Sequence, residues 1–444
     1  MPVVSSFADL LASFVPLMTS PSFCNFGLIA SGWIMAGRKR TVTEVIQRAG
    51  AIKQKHHSAF HRFFSEAPWS LDAVSGVLLG LLLKFVPKGT VVYLAMDDTL
   101  CRKRGLHVFG TCMHHDPLIS CRKVALVNWG HNWVVLGIIL EFPFAPGVFW
   151  CLPFAFRLYI SRKRPKSQRW KYSDIEHRSR PELAAEMLRM VGKWFPDRTF
   201  HLLGDSAYGG KSVLGELPKN FYVTSRITMQ AQLYEKPVAR RGRGRPFKKG
   251  KRLPTLTKLS KDSRVKWKTL RLEIYGRKKK VHVKELVGLW RSAGFQEIKV
   301  VVVRDPKGKT KDQAFFTTDT QASAQDVLVR YSRRWSIEVA FQNAKSHFGF
   351  EDPQNWTRKA VERTAPMAMV IYSLVIAWFT DVGHKRCKFP KRPWYTKKAR
   401  ASFTDMLATI RKESLREYFL STPEWNEHSR KIIRLFSETL GLTG

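Results

Sequence analysis

Between residues 90 and 99 the chain reads TVVYLAMDDT, an apolar run that ends on two adjacent acids. Val91 to Met96 show no polar alternation, so the segment reads as a buried strand. A buried strand cannot end on charge unless it opens into a cleft, because an unpaired and desolvated carboxylate is costly. A second strand, FHLLG at 200–204, runs directly into Asp205 and the turn SAYGG. Further strands are read at RKVALVNWG (122–130) and NWVVLGIILEF (132–142), joined at Gly130-His131 like a hairpin, and at NFYVTSRI (220–227), EIKVVVVRD (297–305) and QAFFTTD (313–319). An amphipathic helix at 180–195 interrupts the series, which gives a mixed α/β order.

Other segments flank and divide this order. Residues 1–88 read as a helical N-terminal region, with Thr41 and Thr43 as caps and Gly50 as a stop. Arg38, Lys39 and Arg40 beside one of its helices make DNA binding an expectation for that region. Residues 89–227 form the first part of the α/β core, and 228–300 break it. From 236 to 284 there are Lys and Arg in quantity against only Asp262 and Glu273, with strand-like pieces WKTLRLEIYG and KVHVKELVGLW. A basic β-rich insertion is expected there. The core resumes over 301–356 with a long helix from about 323, and 357–444 read as a helical C-terminal region. Its most apolar stretch, APMAMVIYSLVIAWF at 365–379, is short for a membrane span and reads as a buried helix.

Lys and Arg outnumber Asp and Glu by 76 to 35, a formal charge of +41, which points to a polyanionic partner and above all to nucleic acid. The charge recurs in several blocks, unlike the single amphipathic helix of a membrane-surface protein. The six cysteines lack disulfide-scaffold density and no basic leader precedes an apolar run, so a cytoplasmic, reduced setting is expected.

The segment YSRRWSIEVAFQNAKSHFGFED (331–352) carries the third acid. On a helix of about 100° per residue, Tyr331, Arg334, Glu338 and Lys345 fall within roughly 60° of arc. Ile337, Ala340, Phe341, Ala344 and Phe348 make the adjoining core face. The stripe therefore presents one acid among cationic and hydroxyl groups. Two acids from strand ends and one from a facing helix, with no matched Cys/His set, favour hard oxygen-ligated cations, Mg²⁺ or Mn²⁺. Two such ions are suited to phosphodiester cleavage.

These residues resemble the signature of DDE transposases of bacterial insertion sequences, the RNase H-like cut-and-paste group. That signature is Tyr, two residues, Arg, three residues, Glu, six residues, Lys, and Tyr331, Arg334, Glu338 and Lys345 fit it at each position. The resemblance covers roughly 90–350 and implies an RNase H-like mixed-sheet core interrupted by a β-rich insertion. It implies Asp98, Asp205 and Glu338 as catalytic, metal-holding acids, and Tyr331, Arg334 and Lys345 as DNA contacts. Asp98 is taken over Asp97 because the family's acid directly precedes Thr; strand alternation does not decide between them. The implied activity is cutting at element ends and joining of the 3′-hydroxyls to target DNA. Double-stranded DNA and a homodimer in the DNA complex are the expected partners, with no membrane. A catalytically silent DNA-binding relative and a standalone nuclease are the alternatives.

Four motifs remain. Arg243 and Arg245 in RRGRGRPFKKGKR (240–252) form an AT-hook core that suits a narrow minor groove, or else a basic loop on phosphates. CMHHDPLISC (112–121) is too loosely spaced for structural zinc, and its His114, His115 and Asp116 are candidates for the DNA path. SRKRPKSQRWKY (161–172) reads as a solvated basic loop, and GDSAYGGK lacks the spacing of a phosphate-binding loop.

Overall fold

The computed structural model describes residues 3–37, 39–116, 119–121, 124–162, 175–238, 247–274, 276–389, 398–421 and 431. The chain opens with helices α1 (Ser5–Ala12), α2 (Ser20–Met35), α3 (Val42–Arg48), α4 (His57–Ser65) and α5 (Leu71–Leu82). Thr41 caps α3 by accepting from the Glu44 N–H, as the sequence suggests. Strands β1 (Val92–Arg102), β2 (Cys112–His115), β3 (Val127–Glu141) and β4 (Phe149–Tyr159) follow, then α6 (Arg180–Trp194), β5 (Phe200–Gly204), α7 (Lys211–Leu214) and β6 (Phe221–Ile227). The insertion supplies β7 (Leu233–Tyr234), α8 (Leu256–Lys261), β8 (Lys268–Ile274) and β9 (Arg277–Trp290). After it come β10 (Gln296–Arg304), β11 (Gln313–Thr317), α9 (Ala324–Arg333), α10 (Trp335–Phe348), α11 (Arg358–Asp381) and α12 (Phe403–Leu420).

The core sheet runs β4-β3-β1-β5-β6, its first three strands antiparallel and its last two parallel to β1. This is the mixed sheet expected of an RNase H-like core. β11 and β10 extend that sheet, since β6 pairs β11 and β11 pairs β10, and the insertion joins it through β9, which pairs β10 and carries β7 and β8.

Two readings are corrected. Residues 127–130 and 132–141 belong to one strand, β3, and Gly130 is not a turn but pairs with Arg102, where a Cβ would meet the Cys101 carbonyl oxygen at 2.3 Å. β4 went unread, because Pro153 interrupts its pattern. The proline sits where the β3–β4 register shifts, the bulge position at which a strand tolerates a missing N–H.

The helices bury this sheet. α6 packs on β3 and β4, while α10 lies against β1 and β4, and α11 against β4. The apolar α11 is 94% buried over its most hydrophobic window, the fate of a core helix. One hydrophobic cluster joins Trp33, Phe60 and Leu78 of the N-terminal helices to Leu94, Val135, Ile371 and Ile410. Residues 1–88 thus share their core with the sheet and C-terminal helices. Arg40, expected to help bind DNA, is 2% exposed; it donates to the Trp33 and Ala36 carbonyls at the end of α2, and its N–H donates to Asp352. It is a helix cap and is closed to a duplex.

The crossing of α2 and α3 depends on Gly32, where a Cβ would stand 1.9 Å from the Val45 carbonyl oxygen. Gly32→Ala should therefore lower the melting temperature, at a cost of about 1–3 kcal/mol. Gly27→Ala, on the same helix with nothing within 4 Å, should be neutral or raise it. Equal melting of both variants would contradict this crossing.

Candidate active site at the end of β1

β1 and β5 run parallel and their pairing ends with Met96 beside Gly204. Asp97, midway along β1 and still paired with Val135 of β3, therefore stands next to Asp205, the residue that follows β5. Asp205 also caps the short turn that follows it, its Oδ1 accepting from the Ala207 N–H at 2.8 Å. α10 faces β1 and brings Glu338 in its first turn.

Arg334 ties the site together. Its guanidinium donates to Asp97 Oδ2 at 2.6 Å and to Glu338 Oε1 at 2.5 Å, and its side chain is only 15% exposed. The predicted single helix is divided at Arg334, whose backbone keeps helical dihedrals. α9 stops at Arg333 and α10 begins at Trp335, with the Arg334 and Ile337 N–H groups bonding three residues back instead of four. Tyr331 consequently stands at the end of α9, buried against Phe315 at 4.7 Å between ring centres, with the Arg334 guanidinium 5.9 Å from its own ring. Burial, despite Arg334 and Arg226, raises its phenol pKa. Lys345 is turned elsewhere: its ammonium donates to the Leu100 carbonyl at 2.6 Å and lies 3.8 Å from Glu351. In this DNA-free chain it clamps α10 to β1 instead of facing the acids.

Asp98, favoured by the Asp-Thr order, points to the other face of β1. It accepts from Tyr208 at 2.9 Å, Arg180 at 2.7 Å and Asn132 at 2.8 Å. The same face carries His114, whose pKa burial and then Arg180 pull down to about 4, so it is neutral. Asp98 is thus held by α6 and β3, while Asp97 bonds Arg334, which also bonds Glu338, and feels the charge of Asp205. Sequence reading missed Arg180, Tyr208 and Asn132. Only Tyr208, in the turn after Asp205, stood near a recognised motif. Asp116 is bound by Arg102 and Asn128, so it serves the fold, while Arg243 and Arg245 lie outside the described residues.

Among the described residues no group of three or more His, Cys, Asp or Glu side chains is gathered as a ready metal cage. The donor chemistry nonetheless fits a hard divalent cation, since Asp97, Asp205 and Glu338 offer carboxylate oxygens, with Arg334 as the counter-charge beside them. Burial pushes the Asp97 carboxyl up to about 7, with Asp205 and Asp98 adding to the rise and Arg334 opposing it. The folded chain therefore holds a proton that the unfolded chain releases. In chelator, stability should fall as pH climbs from 3.8 through about 7, and Asp97→Asn should flatten that part of the melting profile. An unchanged slope in the variant would assign the titration to other groups.

A family model described as DDE superfamily endonuclease matches residues 22–286, and one described as archaeal putative transposase ISC1217 matches 260–381. Among solved structures, a piggyBac transposase synaptic complex with hairpin DNA aligns at 10% identity and a TM-score of 0.41, covering 97% of this chain and 81% of that one. No curated protein matches. The first family model spans well over half of the chain, and on that ground the chain belongs to the DDE superfamily endonucleases.

Proposed function

We propose that the chain is a transposase that cuts DNA at the ends of a mobile element and joins the exposed 3′-hydroxyls to target DNA. The observation that carries this reading is the convergence of Asp97 and Asp205, from adjacent parallel strands, on the face opposed by Glu338 and Arg334. Asp97 replaces Asp98 as the first acid, with Asp205 and Glu338 completing the set that would hold Mg²⁺ or Mn²⁺. When bound, such ions activate water and stabilise the departing 3′-oxygen.

The chain's own groups do the rest. Asp98, fixed by Tyr208, Arg180 and Asn132, anchors the strand end so that Asp97 keeps its aim. Arg334, with a planar fork suited to phosphate, is placed to hold the scissile strand beside the acids. Tyr331 supplies a hydroxyl to the same place, and Lys345 keeps α10 seated on β1. In the first reaction a water oxygen bonds to phosphorus and the 3′-oxygen leaves. In the second that 3′-oxygen bonds to a target phosphorus and displaces its 3′-oxygen. Duplex DNA is the partner, and two copies would act together on paired ends.

The test uses labelled duplex drawn from the DNA flanking the chain's own coding sequence, with a target plasmid and Mg²⁺. Cleavage and joining are expected from the wild type. Asp97→Ala, Asp205→Ala and Glu338→Ala should each fall by more than about a hundredfold, while Asp98→Asn keeps measurable activity. Full activity in Asp97→Ala would overturn the assignment; cleavage without joining would leave a nuclease.

A further inference from the structure

Beyond the acid site, the strongest concentration of charge lies on β8 and β9. We propose that the β8–β9 ribbon is a second duplex-DNA surface, one that grips the phosphate backbone away from the acids; the inference rests on the reading above. In the ribbon's register Leu270 faces Val281 and Leu272 faces Lys279 on one side, and Arg271 faces Lys280 and Glu273 faces Lys278 on the other. The first side is apolar towards its base, where Leu270, Leu272, Val281 and Val283 pack with Val327 and Leu328 of α9. The second side is exposed at Arg271, Lys278 and Lys280, and among the described residues none of these three has an ion-pair partner.

Placing Arg271 directly across from Lys280 works against the ribbon, since like charges opposite one another destabilise a strand pair. Over Arg277–Val281 β9 pairs only β8, so both strands at the ribbon's tip have a free edge, which basic residues also guard against mispairing. A bound polyanion would in addition relieve the repulsion between Arg271 and Lys280.

The ribbon is also held in place for such a role. The buried Lys284 ammonium donates to the Leu259 and Asp262 carbonyls at the end of α8, at 2.8 and 2.7 Å. Trp267 lies under two cations, Lys284 at 4.7 Å and Arg304 at 4.3 Å. Thr269 and His282 are joined across the strands at 3.0 Å. The anchored base and basic tip form a two-stranded ribbon, an element the major groove admits.

The experiment compares full-length wild type with a triple variant, Arg271→Gln, Lys278→Gln and Lys280→Gln, on a 30-base-pair random duplex across a salt series. The control triple variant, Lys53→Gln, Lys84→Gln and Lys88→Gln, removes the same charge from exposed positions on the helical side. Melting of all three proteins should agree within a few degrees. The ribbon variant should flatten the slope of log affinity against log salt by about 2–3, and the control should not. An unchanged slope in the ribbon variant, or an equal change in the control, overturns the proposal. Metal-dependent cleavage of a short end duplex at saturating protein separates the two readings. A wild type that never cleaves defeats the transposase reading and leaves the binding result standing.

Discussion

The fork of Arg334 between Asp97 and Glu338 is the contact on which the rest of the site depends. Exposed ion pairs contribute little, typically up to about 1 kcal/mol. Breaking a desolvated pair by removing one partner costs about 3–5 kcal/mol, because the other charge stays buried. The Arg334 and Asp97 side chains are 15% and 18% exposed, so this contact belongs nearer the second class. One guanidinium reaches Asp97 on β1 in one direction and Glu338, four residues further along the chain, in the other.

The sheet gives that contact its frame. The antiparallel β3, backed by β4, fixes β1 on one side, and the parallel β5 delivers Asp205 beside Asp97. Lys345 and Lys103 then tie the far end of α10 and the loop beyond it to β1, through the carbonyls of Leu100, Glu351 and Pro353. The insertion is continuous with this frame. α9 packs against β5, β6 and β11 of the core sheet and also against β8. The helix that ends at Tyr331 therefore rests on the ribbon at one side and on the strands of the acid site at the other. DNA held by the ribbon would be held by an element in rigid contact with the helix that leads into Arg334.

Much of this was legible because single-segment physics sets it. The apolar runs ending at Asp97 and Asp205, the buried α11 and the paired β8 and β9 follow from local pattern alone. What escaped depended on a partner absent from the pattern. Gly130 resembles a turn signal, yet it is needed because Cys101 approaches it from the next strand. Pro153 argues against a strand unless the bulge opposite Leu136 and Gly137 is known. Adjacent acids at a strand end always point to opposite faces, so choosing between Asp97 and Asp98 requires knowing which face α10 covers. Arg40 reads as a surface cation until Phe348 and Asp352, from far along the chain, close over it.

The central claim is that the cation-holding face of β1 is the Asp97 face, with Arg334 as its counter-charge when no metal is bound. Mn²⁺ binding followed by electron paramagnetic resonance, without DNA, tests it most directly. At Mn²⁺ concentrations that saturate the wild type, Asp97→Asn should leave the ion free in solution, and Asp98→Asn should still bind it. Binding lost in Asp98→Asn and kept in Asp97→Asn would contradict the account.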